Sequence, residues 1–114
     1  MLPDEQEALL GDILIYAKKI LAFTQGVSRE AFAADDEKQL AVIRCLEIIG
    51  EAVNHLSPEA QKELSSVQLR LIRGMRNRLA HDYRNVSMGI VWDTIAHDLV
   101  PLVRTLESRL NKGN

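Results

Sequence analysis

The sequence predicts an all-α fold, an antiparallel bundle of four to five helices. Apolar residues recur at three- and four-residue spacing along most of the 114-residue chain, and no run alternates apolar and polar residues as a half-buried strand does. The breaks between these segments are short, which favours antiparallel neighbours. The length suits one domain with one core, so we predict a single helical domain over residues 1–114.

Two long helices are predicted in the first half of the chain. The first should run over Asp4–Thr24, and Gly26 is a natural stop. The second should begin at Asp35 or Asp36 and end near His55. It is apolar on most faces, which predicts a central place in the bundle or burial against another subunit. Its predicted core residues are Leu40, Val42, Ile43, Leu46, Ile49 and Val53.

The second half of the chain is predicted from capping residues and prolines. Ser57-Pro58-Glu59 is typical of a helix start, with serine as the cap and proline in the first turn. A further helix is expected from Val67 to about Ala80. After a break at Asn85–Gly89, in which Ser87 is a candidate cap, the last helix begins. Pro101 must kink or divide that helix.

The overall charge is slightly acidic, yet one segment is strongly basic. The net charge is -2 and the pI about 5.9, which argues against a non-specific nucleic-acid binder. Five arginines nevertheless lie between Arg70 and Arg84, opposed within that segment by Asp82 alone. A cationic patch on an acidic body can focus an anionic ligand. The alternative is a solvated basic helix face.

The remaining bulk features concern the cellular compartment. Cys45, the single cysteine, lies in an apolar run and is expected to be a buried thiol in a reducing compartment. Met1–Gln6 is acidic where a signal peptide would be basic, and no apolar stretch approaches the length of a membrane span. We therefore expect a cytoplasmic protein with no membrane partner.

The segment Met75–Tyr83 carries the residues best suited to chemistry. Histidine gains and loses protons near neutral pH, and arginine offers a permanent fork of donors to phosphate oxygens. His81 could therefore move the proton of a 2′-hydroxyl or of a leaving oxygen, while Arg76 stabilises charge on phosphorus. This chemistry cleaves RNA without a metal, and we expect neither a metal nor another cofactor.

Helix geometry sets a condition on such a site. Five residues separate Arg76 from His81, which is about 140° around an unbroken helix. A joint site thus needs the helix to unwind near His81, or needs two subunits to meet. The alternative interpretation is structural, with Arg76 paired to Glu51 or Glu47 and His81 capping the helix C-terminus.

Two other features have weaker interpretations. Asp93 and His97 lie one helical turn apart and could bind a metal, although a plain surface pair is favoured. Trp92, the single tryptophan, is predicted to lie in the core or in an interface.

The order Arg-Asn-x-x-x-His-x-Tyr over Arg76–Tyr83 resembles the signature of the HEPN superfamily. Its tyrosine resembles the HepT branch, the toxin half of HepT/MNT toxin–antitoxin pairs. Ala41–Ala52 and Val86–Leu102 are similar to the second and last helices of that branch, in the same order. The resemblance covers most of the chain, from about Gly11 to Leu110.

The resemblance implies a role for each matching residue. Arg76 and His81 match the catalytic pair, while Asn77 and Glu51 match supporting polar residues. Tyr83 matches the tyrosine that a partner nucleotidyltransferase modifies with AMP to silence the toxin; its alternative role is packing at the end of the bundle. The implied fold is a helical bundle that forms a homodimer, with both copies of the motif lining one cleft.

These observations leave three hypotheses for function. The first is a toxin that acts as a metal-independent endoribonuclease and is silenced by a nucleotidyltransferase antitoxin. The second is a non-catalytic module that binds a nucleotide or a nucleotidyltransferase, and the third is a structural dimeric bundle. The presence of both Arg76 and His81 favours the first, because a scaffold needs neither. Affinity for RNA is expected to be mostly electrostatic. The expected RNA-binding residues are Arg73, Arg78 and Arg84.

Overall fold

The computed structural model describes residues 4–64, 69–70, 72–75 and 87–111, and within these ranges the regular structure is helical throughout. The named elements are α1 (Asp4–Thr24), α2 (Arg29–Ala33), α3 (Asp36–His55), α4 (Pro58–Gln61), α5 (Met88–Thr94), a π-helical segment (Ile95–Leu99) and α6 (Val100–Asn111). Residues 69–70 and 72–75 are helical as well. The all-α class is therefore confirmed.

Helix α1 has the predicted bounds and packs against α3 and α6. Its buried stripe follows the predicted helical spacing, since Leu10, Ile13 and Ile20 are all fully buried. Gly26 adopts a left-handed φ of 73°, which ends the helix without the steric cost of a side chain.

Helix α3 packs against α1 and α2 and buries much of its surface in the core. Asp35 caps it by accepting a hydrogen bond from the Lys38 backbone N–H at 3.0 Å. Leu46 and Ile49 are buried, which confirms the predicted core face. The prediction for Leu40 is wrong, because its side chain is 57% exposed. Its spacing from Arg44 is one helical turn, so it shares the polar side of the helix.

Helix α2 was not predicted. Ser28 caps this single turn by accepting a hydrogen bond from the Ala31 N–H at 3.0 Å. Phe32 is 1% exposed and anchors the turn in the core. The Gln39 amide donates to the carbonyls of Phe32 and Ala33 at 2.9 and 3.0 Å, which satisfies the helix C-terminus from α3.

Helix α4 and the chain ends are joined by polar contacts. Ser57 caps α4 and Pro58 occupies its first turn, as predicted. Arg109 in α6 forms ion pairs with Glu7 in α1 and, at 3.1 Å, with Glu63 after α4. The hydrogen bonds that the Arg109 guanidinium donates to Glu7 and, to a smaller extent, to Glu63 raise its pKa. This half-buried cluster links both ends of the described chain to its middle.

Residues 88–111 form one continuous helix with a π-turn inside it. Ser87 caps this helix as predicted, but the helix begins at Met88, so Gly89 lies in its first turn rather than in the predicted break. The π-turn over Ile95–Leu99 ends two residues before Pro101. A proline ring clashes with the carbonyl four residues earlier in a regular α-helix, and the π-turn absorbs that conflict.

Cys45 is a buried free thiol, and burial raises its pKa. Among the helices of the described ranges, none has both the length and the apolar character that crossing a membrane requires.

Candidate active site

Most of the predicted site lies outside the described residues. The predicted site residues that lie outside the described ranges are Arg76, Asn77, Arg78, His81, Tyr83 and Arg84. Glu51 and Arg73 are described, and they lie on different elements of the bundle. The structure therefore describes the helical residues before and after the motif in the sequence, and the helix that carries Glu51.

The helical residues before the motif are fixed by an apolar face. Met75, which directly precedes Arg76 in the sequence, is 5% exposed, and Leu69 and Ile72 pack against the core. Arg70 and Arg73 are more accessible, exposed and half-buried respectively. Two arginines of the basic segment therefore reach the surface just before the motif, as an anion-focusing patch requires.

The residues after the motif are fixed by a cap. The Ser87 hydroxyl accepts hydrogen bonds from the backbone N–H groups of Gly89 and Ile90 at 3.2 and 3.4 Å. Val91, one turn further, is fully buried. The motif is thus joined in sequence to a buried residue on one side and to a capped helix start on the other.

Glu51 belongs to the one accessible side of α3. At a spacing of four residues, Glu47, Glu51 and His55 follow one another along the same side of the helix. Glu51 and His55 are exposed, Glu47 is half-buried, and the neighbouring Ala52 and Val53 are buried in the core. This side therefore offers carboxylates and an imidazole, which can pair with a cation or exchange protons.

The start of the last helix lies beside an open groove and an ion pair. The groove measures about 300 Å³ and is lined by Asp36, Gln39, Leu40, Ile43 and Met88. On the neighbouring surface the Arg29 guanidinium contacts Asp93 at 2.6 Å, so Asp93 has a basic partner on another element. Sequence reasoning missed Arg29, because nothing in the local pattern links residues so far apart.

In the described part of the chain, carboxylate, imidazole and thiol side chains are the candidates for metal ligation, and Cys45 is the candidate for thiol chemistry. There, no three His, Cys, Asp or Glu side chains come close enough together to hold a metal ion. The Cys45 thiol is 5% exposed and its pKa is raised, mainly by burial, against the opposing influence of Lys19 and Arg44. Cys45 is thus a core residue, and a poor nucleophile.

The fold defines an all-α bundle domain. In its sequence, a basic segment that contains a histidine connects the core-packed helical residues up to Met75 to a helix capped by Ser87. Comparison with known families then identifies the domain. Residues 13–109 match the family model described as HepT-like, ribonuclease HepT-like. The chain belongs to the HepT-like ribonuclease family, and the resemblance recognised in the sequence is confirmed.

Several curated proteins are similar over nearly their whole length. A Methanocaldococcus jannaschii protein named "putative RNase" is 34% identical over 89% of this chain and 87% of its own. A Caldanaerobacter subterraneus protein of the same name is 36% identical over 90% and 92%. The "probable ribonuclease HepT" of Thermococcus cleftensis is 34% identical over 82% and 84%. No solved structure matches the chain.

Proposed function

We propose that this protein is the toxin of a toxin–antitoxin pair and acts as a metal-independent endoribonuclease through Arg76 and His81. The observation that carries the proposal is the position of these two residues within residues 13–109, the part that matches the ribonuclease family. Relatives that bear ribonuclease names span nearly the same length, which supports RNA as the substrate.

The proposed reaction is an internal transfer within RNA. His81 removes the proton of a 2′-hydroxyl, the 2′-oxygen attacks the adjacent phosphorus, and the bond to the 5′-oxygen breaks. Arg76 stabilises the negative charge that builds on the phosphoryl oxygens, and the leaving oxygen takes up a proton. The products are a 2′,3′-cyclic phosphate and a 5′-hydroxyl end.

The other predicted residues have supporting roles in this proposal. Arg73, together with Arg78 and Arg84, contacts backbone phosphates, so binding should weaken steeply with salt. Asn77 and Glu51 support the catalytic pair. Arg73 and Arg70 are accessible in the structure, and Glu51 is exposed on α3, so all three can take part in a surface site.

The proposal is tested by RNA cleavage in the presence of EDTA. Wild-type protein, His81→Ala and Arg76→Ala are purified identically and incubated with an end-labelled RNA and with its all-deoxy counterpart. The wild type should cut the RNA but not the all-deoxy counterpart, and each substitution should lower the rate of RNA cleavage by roughly a hundredfold or more. A cyclic phosphate at the new 3′ end identifies the mechanism.

A matched variant controls for general damage to the fold. Lys18 forms an exposed ion pair with Glu107 at 3.0 Å between α1 and α6, so Lys18→Ala removes a surface cation from the bundle. It should cleave as fast as the wild type. Equal cleavage of the deoxy substrate, or a His81→Ala protein of undiminished activity, would exclude the mechanism.

Tyr83 is proposed as the point of control by a nucleotidyltransferase antitoxin. Transfer of AMP from ATP to its hydroxyl, with release of pyrophosphate, would add a phosphodiester charge two residues from His81. That charge would occupy the cationic site and repel an RNA phosphate. Tyr83→Phe should keep most of its ribonuclease activity yet escape silencing by the antitoxin with ATP. Equal silencing of Tyr83→Phe and wild type would show that the tyrosine is not the control point.

The proposed active unit is a homodimer, and its proposed location is the cytoplasm. The reason for a dimer is the separation of Arg76 and His81 around a helix, about 140° if the helix is unbroken. Two subunits related by a twofold axis can bring the arginine of one beside the histidine of the other, which solves the geometry without unwinding either helix.

A further inference from the structure

Arg29 forms a long-range polar contact with the last helix. Arg29 is the first residue of α2, and its Nη1 lies 2.6 Å from Oδ1 of Asp93 in α5. Both side chains are about half exposed, at 53% and 52%. The guanidinium therefore spans two elements at the surface.

The guanidinium of Arg29 lies close to Gly89, in space that a side chain at this position would need. A Cβ atom at position 89 would lie 2.7 Å from the Nη2 atom of Arg29 and 3.3 Å from the Ser87 hydroxyl oxygen. The first distance is shorter than van der Waals contact allows, so a side chain at residue 89 would shift the end of the Arg29 side chain from its observed position.

Helix α2, which carries Arg29, is held in place by contacts with α5 and α3. Phe32 is 1% exposed, and its ring packs against Trp92 of α5 with centroids 5.3 Å apart. From α3, Gln39 donates two hydrogen bonds to the C-terminal carbonyls of α2. Arg29 therefore reaches α5 from an element that is held from two sides.

Apolar burial is only partial in the first turn of α5. Its Met88 is half-buried, Gly89 has no side chain, and Ile90 is 44% exposed, so apolar burial begins in full only at Val91. Before the motif, by contrast, Met75 is itself buried. Among the described residues, the first turn of α5 is thus held by the partial packing of Met88 together with the polar contacts of Ser87 and Arg29.

We propose that Arg29 is a positioning residue for cleavage: its guanidinium lies against Gly89, pairs with Asp93 and fixes the first turn of α5, the helix that follows the His81-containing segment in the sequence. This inference rests on the proposed function. Its physical basis is that a small displacement of a catalytic group costs far more in rate than a surface ion pair contributes to stability.

The test compares Arg29→Ala with Gly89→Ala, using the maximal cleavage rate and the KM for a defined RNA. Each variant should lower kcat by about tenfold and leave KM within about twofold, because positioning affects the reaction more than RNA binding. Gly89→Ala acts on Arg29 indirectly, since its methyl group displaces the guanidinium. The double variant should therefore be no slower than either single variant.

The thermal unfolding of the same proteins separates positioning from loss of structure. Arg29→Ala removes an exposed ion pair, so its Tm should stay within a few degrees of the wild type. Gly89→Ala should also stay within a few degrees of the wild type, because the helix preference of alanine offsets the shift that its methyl group imposes on Arg29 and on the Ser87 cap. Arg29→Lys, which keeps the charge opposite Asp93, should recover most of the rate. The matched control is Lys18→Ala, another exposed interhelical pair, which should retain full kcat.

The outcomes distinguish this inference from the proposed function. If His81→Ala cleaves like the wild type, the proposed active site fails. If His81→Ala is inactive while Arg29→Ala and Gly89→Ala keep full kcat, the positioning role of Arg29 is wrong. A loss confined to KM would show that Arg29 binds RNA directly, and additive losses in the double variant would show that Gly89 acts independently of Arg29. Either result overturns the inference.

Discussion

At the scale of single residues, local chemistry was predictable and long-range contact was not. Ser57 and Ser87 were predicted as caps from their immediate neighbours, and Gly26 as a stop, because capping depends on a few adjacent residues. The contact between the Arg29 guanidinium and Gly89 depends on two segments that the fold brings together. No local sequence pattern encodes such a contact, so the sequence did not reveal it.

The buried thiol of Cys45 predicts a pH dependence of stability. Burial raises its pKa, so the folded protein holds the thiol proton more tightly than the unfolded chain does. Above about pH 8.5, the ordinary pKa of a cysteine, the unfolded chain loses this proton first, and the free energy of unfolding falls as the pH rises. Below that pH the contribution is fully present.

Urea denaturation of wild type and Cys45→Ala, at several pH values from 7 to 10, checks this dependence. Removing the thiol creates a small cavity whose cost does not vary with pH, so the alanine protein starts less stable. Its stability should then decline less steeply above pH 8.5 than that of the wild type. Parallel curves would show that Cys45 ionises equally in the folded and unfolded chains.

At the scale of elements, the long helices followed from apolar periodicity and the irregular ones did not. Helix α1 has its predicted bounds because a long amphipathic stripe ends at a glycine. Helix α2 has five residues, too few to show a period, and its one buried anchor is Phe32. The sequence did not predict the π-turn itself, although Pro101 predicted a kink or a division of the helix in this region.

The spacing of buried residues gives the π-turn a second cause besides the proline. Val91, Ile95 and Leu99 are buried at intervals of four, whereas an α-helix repeats every 3.6 residues. Each interval of four would rotate the next side chain by about 40° away from the core in a regular helix. The extra residue of a π-turn compensates for this rotation and keeps all three side chains directed inward.

Pro101→Ala tests whether the π-turn absorbs the cost of proline. Proline inside a regular helix costs about 3 kcal/mol, and its replacement by alanine would return a gain of that size. Because the π-turn already relieves the clash and the buried spacing keeps the turn in place, we expect stabilisation below about 1 kcal/mol. Chemical denaturation measures the difference. A gain near 3 kcal/mol would mean that the proline remains strained.

At the scale of the whole molecule, the bundle was predictable because its burial pattern is redundant. Many apolar positions on α1, α3 and the last helix specify the same core, so the error at Leu40 did not change the fold. The active site has no such redundancy. Whether Arg76 meets His81 within one chain or across two depends on a few backbone angles and on an interface, neither of which leaves a periodic signal in the sequence.

Mixing two inactive variants tests the shared site. In a twofold dimer whose sites each combine Arg76 of one subunit with His81 of the other, a hybrid of Arg76→Ala and His81→Ala chains contains one doubly altered site and one intact site. Random pairing makes half of the dimers hybrids, so co-refolded variants should recover about a quarter of wild-type activity. If each chain contains its own pair, the mixture stays inactive.

Sedimentation of the wild type completes the test, because it establishes whether the protein is a dimer at the assay concentration. A dimer with recovered activity supports the composite site. A dimer without recovery would place Arg76 and His81 of one chain together, so the helix would have to unwind near His81 to bring them to one side. A monomer with full activity would overturn the dimeric unit altogether, since the geometric argument for pairing would then have been met inside a single chain.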